Sequence, residues 1–322
     1  MIEHVIVMAA GTASSMHRLT LTRPQGMLPV LGTPLIAWVM DGYYRAGIRR
    51  FTVVVGERDG DVARFLHENW HSDITLRFVS QGHSHSLSSV LIANRNLFDE
   101  PFIIAPIDHL VSEQHVNTLC LYFDKHPGDS GAISIINQAQ LNAGGNIILD
   151  PQGGVLFITE GPIAAHQGRL AWLPIFAYTP LFLHFLERVP IKPSSGERSV
   201  AAAIQMMIDA GHRMGTVPAR WYMPLCTPED LRLVNMDALN ELSQPVILSR
   251  LPASVRVMPP AYIEQGVSVG RNAQIGPGAY IESGSTVGAN STVIASIVLG
   301  AYVAAGQKVS EQVVIEDQPG TS

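Results

Sequence analysis

The sequence predicts an α/β protein in two unlike parts: a mostly parallel sheet with helices on both faces, then a short parallel β-helix. Three observations carry this. From Met1 to about Leu242, apolar strand-like runs alternate with amphipathic helix-like segments. About the last seventy residues instead place an aliphatic side chain at every sixth position. The composition, 47% hydrophobic and 15% charged over 322 residues, is that of a chain able to bury a large core, and the length suits one large or two modest domains.

The first part is read element by element. Val5-Ile-Val-Met-Ala-Ala is a short apolar run that meets Gly11, the pattern of a buried parallel strand entering a loop. Pro34 to Ala46 carries apolar residues at helical spacing and stops at Gly47, as a helix with a glycine C-terminus does. Phe51-Thr-Val-Val-Val-Gly is a second buried strand, and Asp59 to Trp70 a second helix. Leu76-Arg-Phe-Val-Ser, a helix around Ser88 to Asn96, and the strand Phe102-Ile-Ile-Ala-Pro follow. This β-α-β-α-β order predicts a parallel sheet. Ligands of such sheets bind beyond the carboxyl ends of the strands, which directs attention to the loops after Ala10, Ser80 and Pro106.

In the second part Val257, Ile263, Val269, Ile275, Ile281, Val287, Val293 and Leu299 are spaced by six, and Ile297, Val303, Val309 and Ile315 repeat the period in a shifted register. A period of six is neither helical nor alternating; it is the hexapeptide pattern of a β-helix with coils of roughly eighteen residues. Three to four coils are expected, with an insertion or an altered coil near Ile297. Glycine follows the aliphatic residue in Val269-Gly270, Ile275-Gly276, Val287-Gly288 and Leu299-Gly300, where it is expected to supply positive φ at some corners. Ser243-Gln-Pro and Leu251-Pro-Ala interrupt the pattern. The expected division is therefore 1–242, a linker at 243–252, a β-helix at 253–316 and a polar tail at 317–322.

Composition excludes several classes. Lys plus Arg number 21 and Asp plus Glu 27, a net charge of −6 with no basic run, which does not suit the phosphate backbone of nucleic acid. Cys120 and Cys226 lie far apart without metal spacing and read as thiols in a reducing compartment. No apolar stretch approaches the roughly 18 residues of a membrane span. Met1-Ile-Glu-His-Val-Ile-Val has no basic n-region, so no secretory signal and a cytoplasmic location are expected.

Residues Ala9-Ala-Gly-Thr-Ala-Ser-Ser-Met-His-Arg-Leu-Thr-Leu-Thr-Arg-Pro-Gln-Gly-Met-Leu-Pro-Val resemble the opening motif of the sugar-phosphate nucleotidyltransferases, AAGxG[TS]RLxxxTxxxPKxLxPV. Gln81, Asp108-His-Leu-Val, Gly145, Glu160-Gly-Pro, Gly196-Glu197 and Thr227-Pro-Glu-Asp-Leu follow in family order. The resemblance implies a Rossmann-like, mostly parallel nucleotidyltransferase domain, followed by a left-handed parallel β-helix. It also implies a reaction in which a sugar 1-phosphate oxygen attacks the α-phosphorus of an NTP and pyrophosphate leaves. Carried over by position, Ala10, Gly11, Thr12 and Gln81 would bind the nucleotide, Gly145 and Glu160 the sugar, and Asp108 would hold Mg²⁺.

Other family positions are changed. The loop Arg falls on Ser15, the following Lys on Gln25, the Lys of the EKP motif on Gly161, and the second metal Asp on Pro224 or Met223. The second loop glycine is Ala13, and the Gly-Thr pair after Gln81 falls on Ser86-Leu87. One Arg, two Lys and one Asp are thus absent together, and no neutral side chain replaces a cation beside a phosphate. Losing a single such donor typically lowers a rate about 10²–10³-fold, so no catalytic set is intact and an impaired relative is expected. Arg18 and Arg23 are the candidate substitute cations; the plainer reading of both is solvated surface charge. His17, His83, His85 and His109 gather in the motif loops, as ligand contacts or as ordinary loop polarity, and Asp108 also suits a strand-end carboxylate that caps neighbouring amides.

The expected function is that of a nucleotide- or sugar-nucleotide-binding protein acting as a regulatory or assembly subunit, in a homo- or hetero-oligomer that includes an active paralogue in the hetero case. Two alternatives stand beside it: an active pyrophosphorylase with substitute cations, and a scaffold that binds no ligand. An acyltransferase in the β-helix is disfavoured, since such transfers generally use a His base and all 12 histidines lie at or before His212.

Overall fold

The structure, a computed structural model, describes residues 2–10, 16–82, 86–137, 145–160, 170–193 and 196–316. It divides into two compact units that do not follow the chain in one pass: Met1–Gly11 with Ile36–Pro224, and Thr12–Leu35 with Leu225–Ser322.

The first unit is built on a nine-stranded sheet. Its strands are β1 (His4–Met8), β2 (Arg50–Val55), β3 (Thr75–Ser80), β4 (Phe102–Pro106), β5 (Gly131–Asn137), β6 (Gly145–Leu149), β7 (Val155–Thr159), β8 (Leu170–Tyr178) and β9 (Met214–Pro218). The order is β7-β6-β8-β4-β1-β2-β3, and β8 also pairs with β5, which pairs with β9. Strands β4, β1, β2 and β3 run parallel, while β8 is antiparallel to β4, β5 and β6. The mostly parallel α/β fold expected from the sequence is therefore present. Continuous apolar runs make the central strands: Val5, Ile6 and Val7 of β1 and Phe102, Ile103 and Ile104 of β4 are fully buried, as strands covered on both faces must be. At the sheet edge β3 is largely exposed, Phe78 included.

The helices are α1 (Leu35–Arg45), α2 (Gly60–Asn69), α3 (Leu87–Ala93), α4 (Glu113–Cys120), α5 (Leu181–Arg188) and α6 (Val200–Asp209). Ser86, Ser112 and Ser199 cap α3, α4 and α6, each accepting a backbone N–H of the first turn, which satisfies a donor the helix cannot. After β1 the chain builds β2 and β3 on one side, then crosses to place β4 on the other. Met8 of β1 lies opposite Pro106 of β4, so the ends of these two strands mark the switch point of the sheet, where doubly wound folds bind ligands.

In the second unit, α7 (Pro228–Asn240) starts at a capping box: Thr227 Oγ1 accepts from Asp230 N, and Asp230 Oδ2 accepts from Thr227 N. The C-terminal strands form three parallel sheets of five, four and three short strands, the left-handed β-helix. Ile263, Ile275, Ile281, Val287, Val293, Val298, Val303 and Val309 fill its interior. The first strand of the five-stranded sheet, Val246–Ile247, lies within the residues expected as linker.

Two details differ from the hexapeptide count. Val257 pairs with Ile275 and Ile275 with Val293, eighteen apart as expected, but Ile281 pairs with Val298 and Val287 with Val303. The final coils are shortened, so of the two expectations near Ile297 it is the altered coil that holds, through a loss of residues and not an insertion. The inward position falls on Val298, while Leu299 pairs with Ile315. The glycines also divide by cause. Gly276 has φ +92, and a Cβ there would lie 1.9 Å from Met258 O; Gly270 has no left-handed φ and is instead crossed by Ala289, whose N would lie 2.3 Å from its Cβ. Asn272 and Asn290 take corner positions at φ 59 and 58, which asparagine tolerates.

Residues 16–35 belong to this unit through specific bonds. A hairpin of Pro29–Val30 and Thr33–Pro34 turns at Leu31 and Gly32. Leu31 N donates to Asn235 Oδ1 at 2.9 Å, Asn235 Nδ2 donates to Pro29 O at 3.1 Å, and Gly32 N donates to Tyr280 Oη at 3.1 Å. Tyr280 Oη in turn donates to Glu264 Oε1 at 2.5 Å.

Candidate functional site

Three sequence-predicted residues of the first unit stand just past strand ends. Ala10 follows β1, and the N–H groups of Ala9 and Ala10 both donate to Val54 O, at 3.0 and 2.9 Å. Gln81 follows β3, its N–H donating to Val55 O at 2.9 Å, and is half-buried. Asp108 follows β4, where Ile107 N donates to Met8 O at 3.2 Å. The backbone thus fixes Ala10 and Asp108 at neighbouring strand ends. Asp59, which the sequence marked only as a helix start, is a buried carboxyl at the end of β2. It accepts from Gly56 N at 2.6 Å, and burial pushes its pKa up.

Asp108 continues into a short strand, His109–Val111, which pairs antiparallel with Tyr222–Pro224. The register sets Pro224 opposite His109 and Met223 opposite Leu110. The two positions expected for the second metal carboxylate, Pro224 and Met223, therefore lie opposite His109 and Leu110, and neither carries a carboxylate. His109 takes part in two polar contacts: Nδ1 lies 2.6 Å from Tyr222 Oη, and Nε2 lies 3.7 Å from Asp108 Oδ1. Burial holds the imidazole below its usual pKa, against the pull of the Asp108 charge. Tyr222 carried no signal in the sequence; its place beside His109 depends on a register set between residues more than a hundred apart.

The fit of Mg²⁺ follows from these donors. Mg²⁺ prefers oxygen ligands, retains waters, and is usually held by one or two carboxylates plus substrate phosphates. Asp108 offers one carboxylate, Pro224 offers no side-chain donor, and His109 offers nitrogen. Among the described residues no group of three His, Cys, Asp or Glu could hold a metal ion. The set fits an ion that brings phosphate oxygens with it, not one caged by protein alone.

On the other side of the sheet, Gly145 begins β6 and is buried under Trp172: a Cβ at Gly145 would lie 2.0 Å from the indole nitrogen, which donates to Thr159 O at 2.9 Å. Glu160 follows directly. Its carboxylate pairs with Lys192 Nζ and accepts from Ser199 Oγ at 2.6 Å. Burial pushes the carboxyl pKa up, and the bonds from Lys192 and Ser199 more than offset this, leaving it below the usual range. The pair borders an open hollow of about 560 Å³ with Ile158, Gln205 and Met206.

The second unit holds the remaining candidates. Arg23 forms a two-pronged ion pair with Glu282, Nη1 meeting Oε1 and Nη2 lying 3.0 Å from Oε2. Arg18 is exposed on the single-turn helix His17–Thr20. Gln25, at the position of the family lysine, is buried and its Nε2 donates to Leu225 O at 3.3 Å. Ser86 and Leu87, where the Gly-Thr pair falls, are the N-cap and first residue of α3. Gly11, Thr12, Ala13, Ser15, His83, His85 and Gly161 lie outside the described residues, as does the His17 side chain.

With this geometry in place, comparison with known proteins is informative. The chain matches the nucleotidyl transferase family over residues 4–241 and the bacterial transferase hexapeptide repeat over 260–295. The low-salt glycan biosynthesis nucleotidyltransferase Agl11 of Haloferax volcanii is 24% identical over 243 residues, 74% of this chain and 66% of that one. A glucose-1-phosphate thymidylyltransferase of Streptomyces griseus is 22% identical over 317 residues, 97% of this chain and 84% of that one. In a second Streptomyces thymidylyltransferase, from S. antibioticus, this chain spans 57% of the length. Among solved structures, UDP-glucose pyrophosphorylase in complex with UDP-glucose superposes with a TM-score of 0.65 at 17% identity, covering 75% of this chain and all of that one, a likeness of fold. No helix among the described residues is long and apolar enough to cross a membrane.

Proposed function

The chain belongs to the sugar-phosphate nucleotidyltransferases, and from that premise we propose that it binds a nucleotide or sugar nucleotide beyond the carboxyl ends of β1, β3 and β4 without turning it over. It then serves as a regulatory or assembly subunit in NDP-sugar synthesis. The observation that carries this reading is the register that sets Pro224 opposite His109 and Met223 opposite Leu110, in the short strand that follows Asp108, with no carboxylate at either position. Nucleotidyl transfer builds negative charge on phosphate oxygens, and catalysis of it is chiefly positioning plus electrostatic stabilisation. Here the second metal position, Pro224 or Met223 by resemblance, has no carboxylate, and one lysine position holds a buried amide bonded to Leu225. Bound Mg²⁺ would neutralise phosphate charge, with Asp108 as its protein ligand.

Binding makes smaller demands than turnover. Ala10 at the end of β1, the Gln81 side chain and the Asp108 carboxylate are the groups this reading assigns to a base, ribose and a metal-bound phosphate. Such a ligand acts as an effector to the extent that its affinity differs between two states of an assembly. The β-helix supplies the assembly surface, with a second copy or an active paralogue as partner.

The test is pyrophosphate release on purified protein with Mg²⁺, across NTPs and hexose 1-phosphates, with thermal shift on the same ligands. Stabilisation by a nucleotide or sugar nucleotide without turnover is the expected result. Turnover at ordinary enzymatic rates, abolished by Asp108→Ala, refutes the impaired reading; neither turnover nor stabilisation leaves a scaffold.

A further inference from the structure

Helices α3 and α5 pack against each other and leave a second open hollow, of about 300 Å³. It lies at the other end of the sheet from Asp108: Tyr178, which leads into α5, pairs with Phe102, the first residue of β4, whereas Asp108 comes after the last. Phe98 and Leu183 are buried in its floor, with Ile92 half-buried beside them. Arg95, His184 and Glu187 stand exposed on its rim. Ile92, Arg95 and Phe98 reach it at a spacing of three, because the 3₁₀ turn Arg95–Leu97 follows α3. Leu183 and Glu187 reach it at the spacing of four that shares one face of α5.

Nη1 of Arg95 donates to both oxygens of Glu187, at 3.0 and 3.1 Å, so Nε and Nη2 of the guanidinium take no part in the pair. The carboxylate in turn has more lone pairs than this one nitrogen engages. One positive and one negative group thus stand side by side above an apolar floor, each with bonding capacity left, which is the make-up of a small-molecule site. Charge then selects the class of ligand. An anion alone is opposed by Glu187, a cation alone by Arg95, and like charges brought together reject a ligand. A zwitterion meets both groups with the opposite sign.

We propose that this hollow binds a free α-amino acid with an apolar side chain. Its carboxylate lies on Arg95, its ammonium on Glu187 and its side chain against Phe98 and Leu183. The volume is at the lower end for small-molecule sites and suits a ligand of this size. The site shares no residue with the nucleotide reading and does not depend on it.

Calorimetry on the full chain uses L-leucine, L-methionine and L-phenylalanine. Glycine, 4-methylpentanoate and 3-methylbutylamine are the partial ligands, lacking the side chain, the ammonium and the carboxylate in turn. At least one of the three amino acids is expected to bind, and every partial ligand at least about tenfold more weakly. Arg95→Gln and Glu187→Gln should each weaken binding roughly tenfold or more, as loss of a charged hydrogen bond does. Their melting temperatures should stay near wild type, because the pair is exposed. Ile92→Trp, which fills the hollow and leaves both charges, should abolish binding. Binding of none of the three amino acids overturns the proposal, as does equal affinity in wild type and either Gln variant. A partial ligand that binds as tightly as the best amino acid overturns it too: 4-methylpentanoate would mark an anion site, 3-methylbutylamine a cation site, and glycine a site that takes no side chain. UTP titrated in parallel reports on the nucleotide reading separately, since none of these variants touches its residues.

Discussion

Arg23 acts as a clamp inside the β-helix unit, where the sequence leaves it as a substitute cation for phosphate or a solvated surface charge. Its guanidinium meets both oxygens of Glu282, with side-chain exposures of 28% and 14%. Exposed ion pairs contribute about 0.2–1 kcal/mol, and removing one partner of a fully buried pair costs about 3–5 kcal/mol. Partial burial and two-pronged geometry put this pair between them: about 2 kcal/mol for Arg23→Ala, and about 1 kcal/mol for Glu282→Gln, which keeps one oxygen acceptor. The double variant should lose less than the two singles added, with a coupling of about 1 kcal/mol. Scanning calorimetry should show the transition of this unit falling by roughly 6–8 °C in Arg23→Ala, at about 3–4 °C per kcal/mol. UTP affinity, measured in parallel, should change less than about threefold. A melting point within 1–2 °C of wild type, or a tenfold loss of UTP affinity without a stability change, would refute the clamp and return Arg23 to the phosphates.

Further outcomes follow from the same contacts. Pro224→Asp places a second carboxylate opposite His109, and Mg²⁺ titrations followed by thermal shift should show stabilisation growing with Mg²⁺ concentration beyond wild type; no difference from wild type would show that the position does not reach the metal. Gly276→Ala drives a Cβ against Met258 O at φ +92 and should cost roughly 3 kcal/mol or more, measured by chemical unfolding. His4 is buried against Thr52 Oγ1 at 2.9 Å, and burial, then Arg50 and Arg77, lower its pKa to about 4. The native state therefore binds fewer protons than the unfolded chain: the contribution is complete above about pH 6.5 and is lost as pH falls toward 4, on the order of 2–3 kcal/mol. In His4→Gln, melting temperature should vary less steeply between pH 7 and pH 4 than in wild type.

The legible features were those written in local pattern. Apolar runs marked β1, β2 and β4 because strands buried on both faces need side chains of one kind throughout, and a period of six marked the solenoid because each coil repeats one geometry. The shortened coils were not legible in detail, since Val298 and Leu299 are both aliphatic and counting by six selects the wrong one. Gly270 and Gly276 look alike in sequence, yet one is required by the approach of Ala289 and the other by its φ. The candidate site was half legible. Asp108 and Gln81 stand at strand ends as position suggests, but the neighbours that define their chemistry come from afar: Tyr222 and Pro224 by strand register, and Lys192 by a turn between helices. Arg23 finds Glu282 across 259 positions, a pairing that no local pattern records.

The origin of residues 16–35 in the β-helix unit has a consequence for synthesis. The hairpin that meets Asn235 and Tyr280 leaves the ribosome early, and its partners follow only after the intervening stretch Ile36–Pro224. At about 5–20 residues per second, the early segment waits for something like 10–50 s before Asn235, Tyr280 and Glu282 exist to receive it. When Pro218 is made the larger sheet has every strand it needs, whereas the solenoid has none. A fragment of residues 225–322 made alone would lack the early segment altogether, and its Tyr280 and Glu282 would meet water where the whole chain offers Gly32 and Arg23. Co-expressing residues 1–35 in trans would be the direct way to ask whether that lateness is tolerated or required.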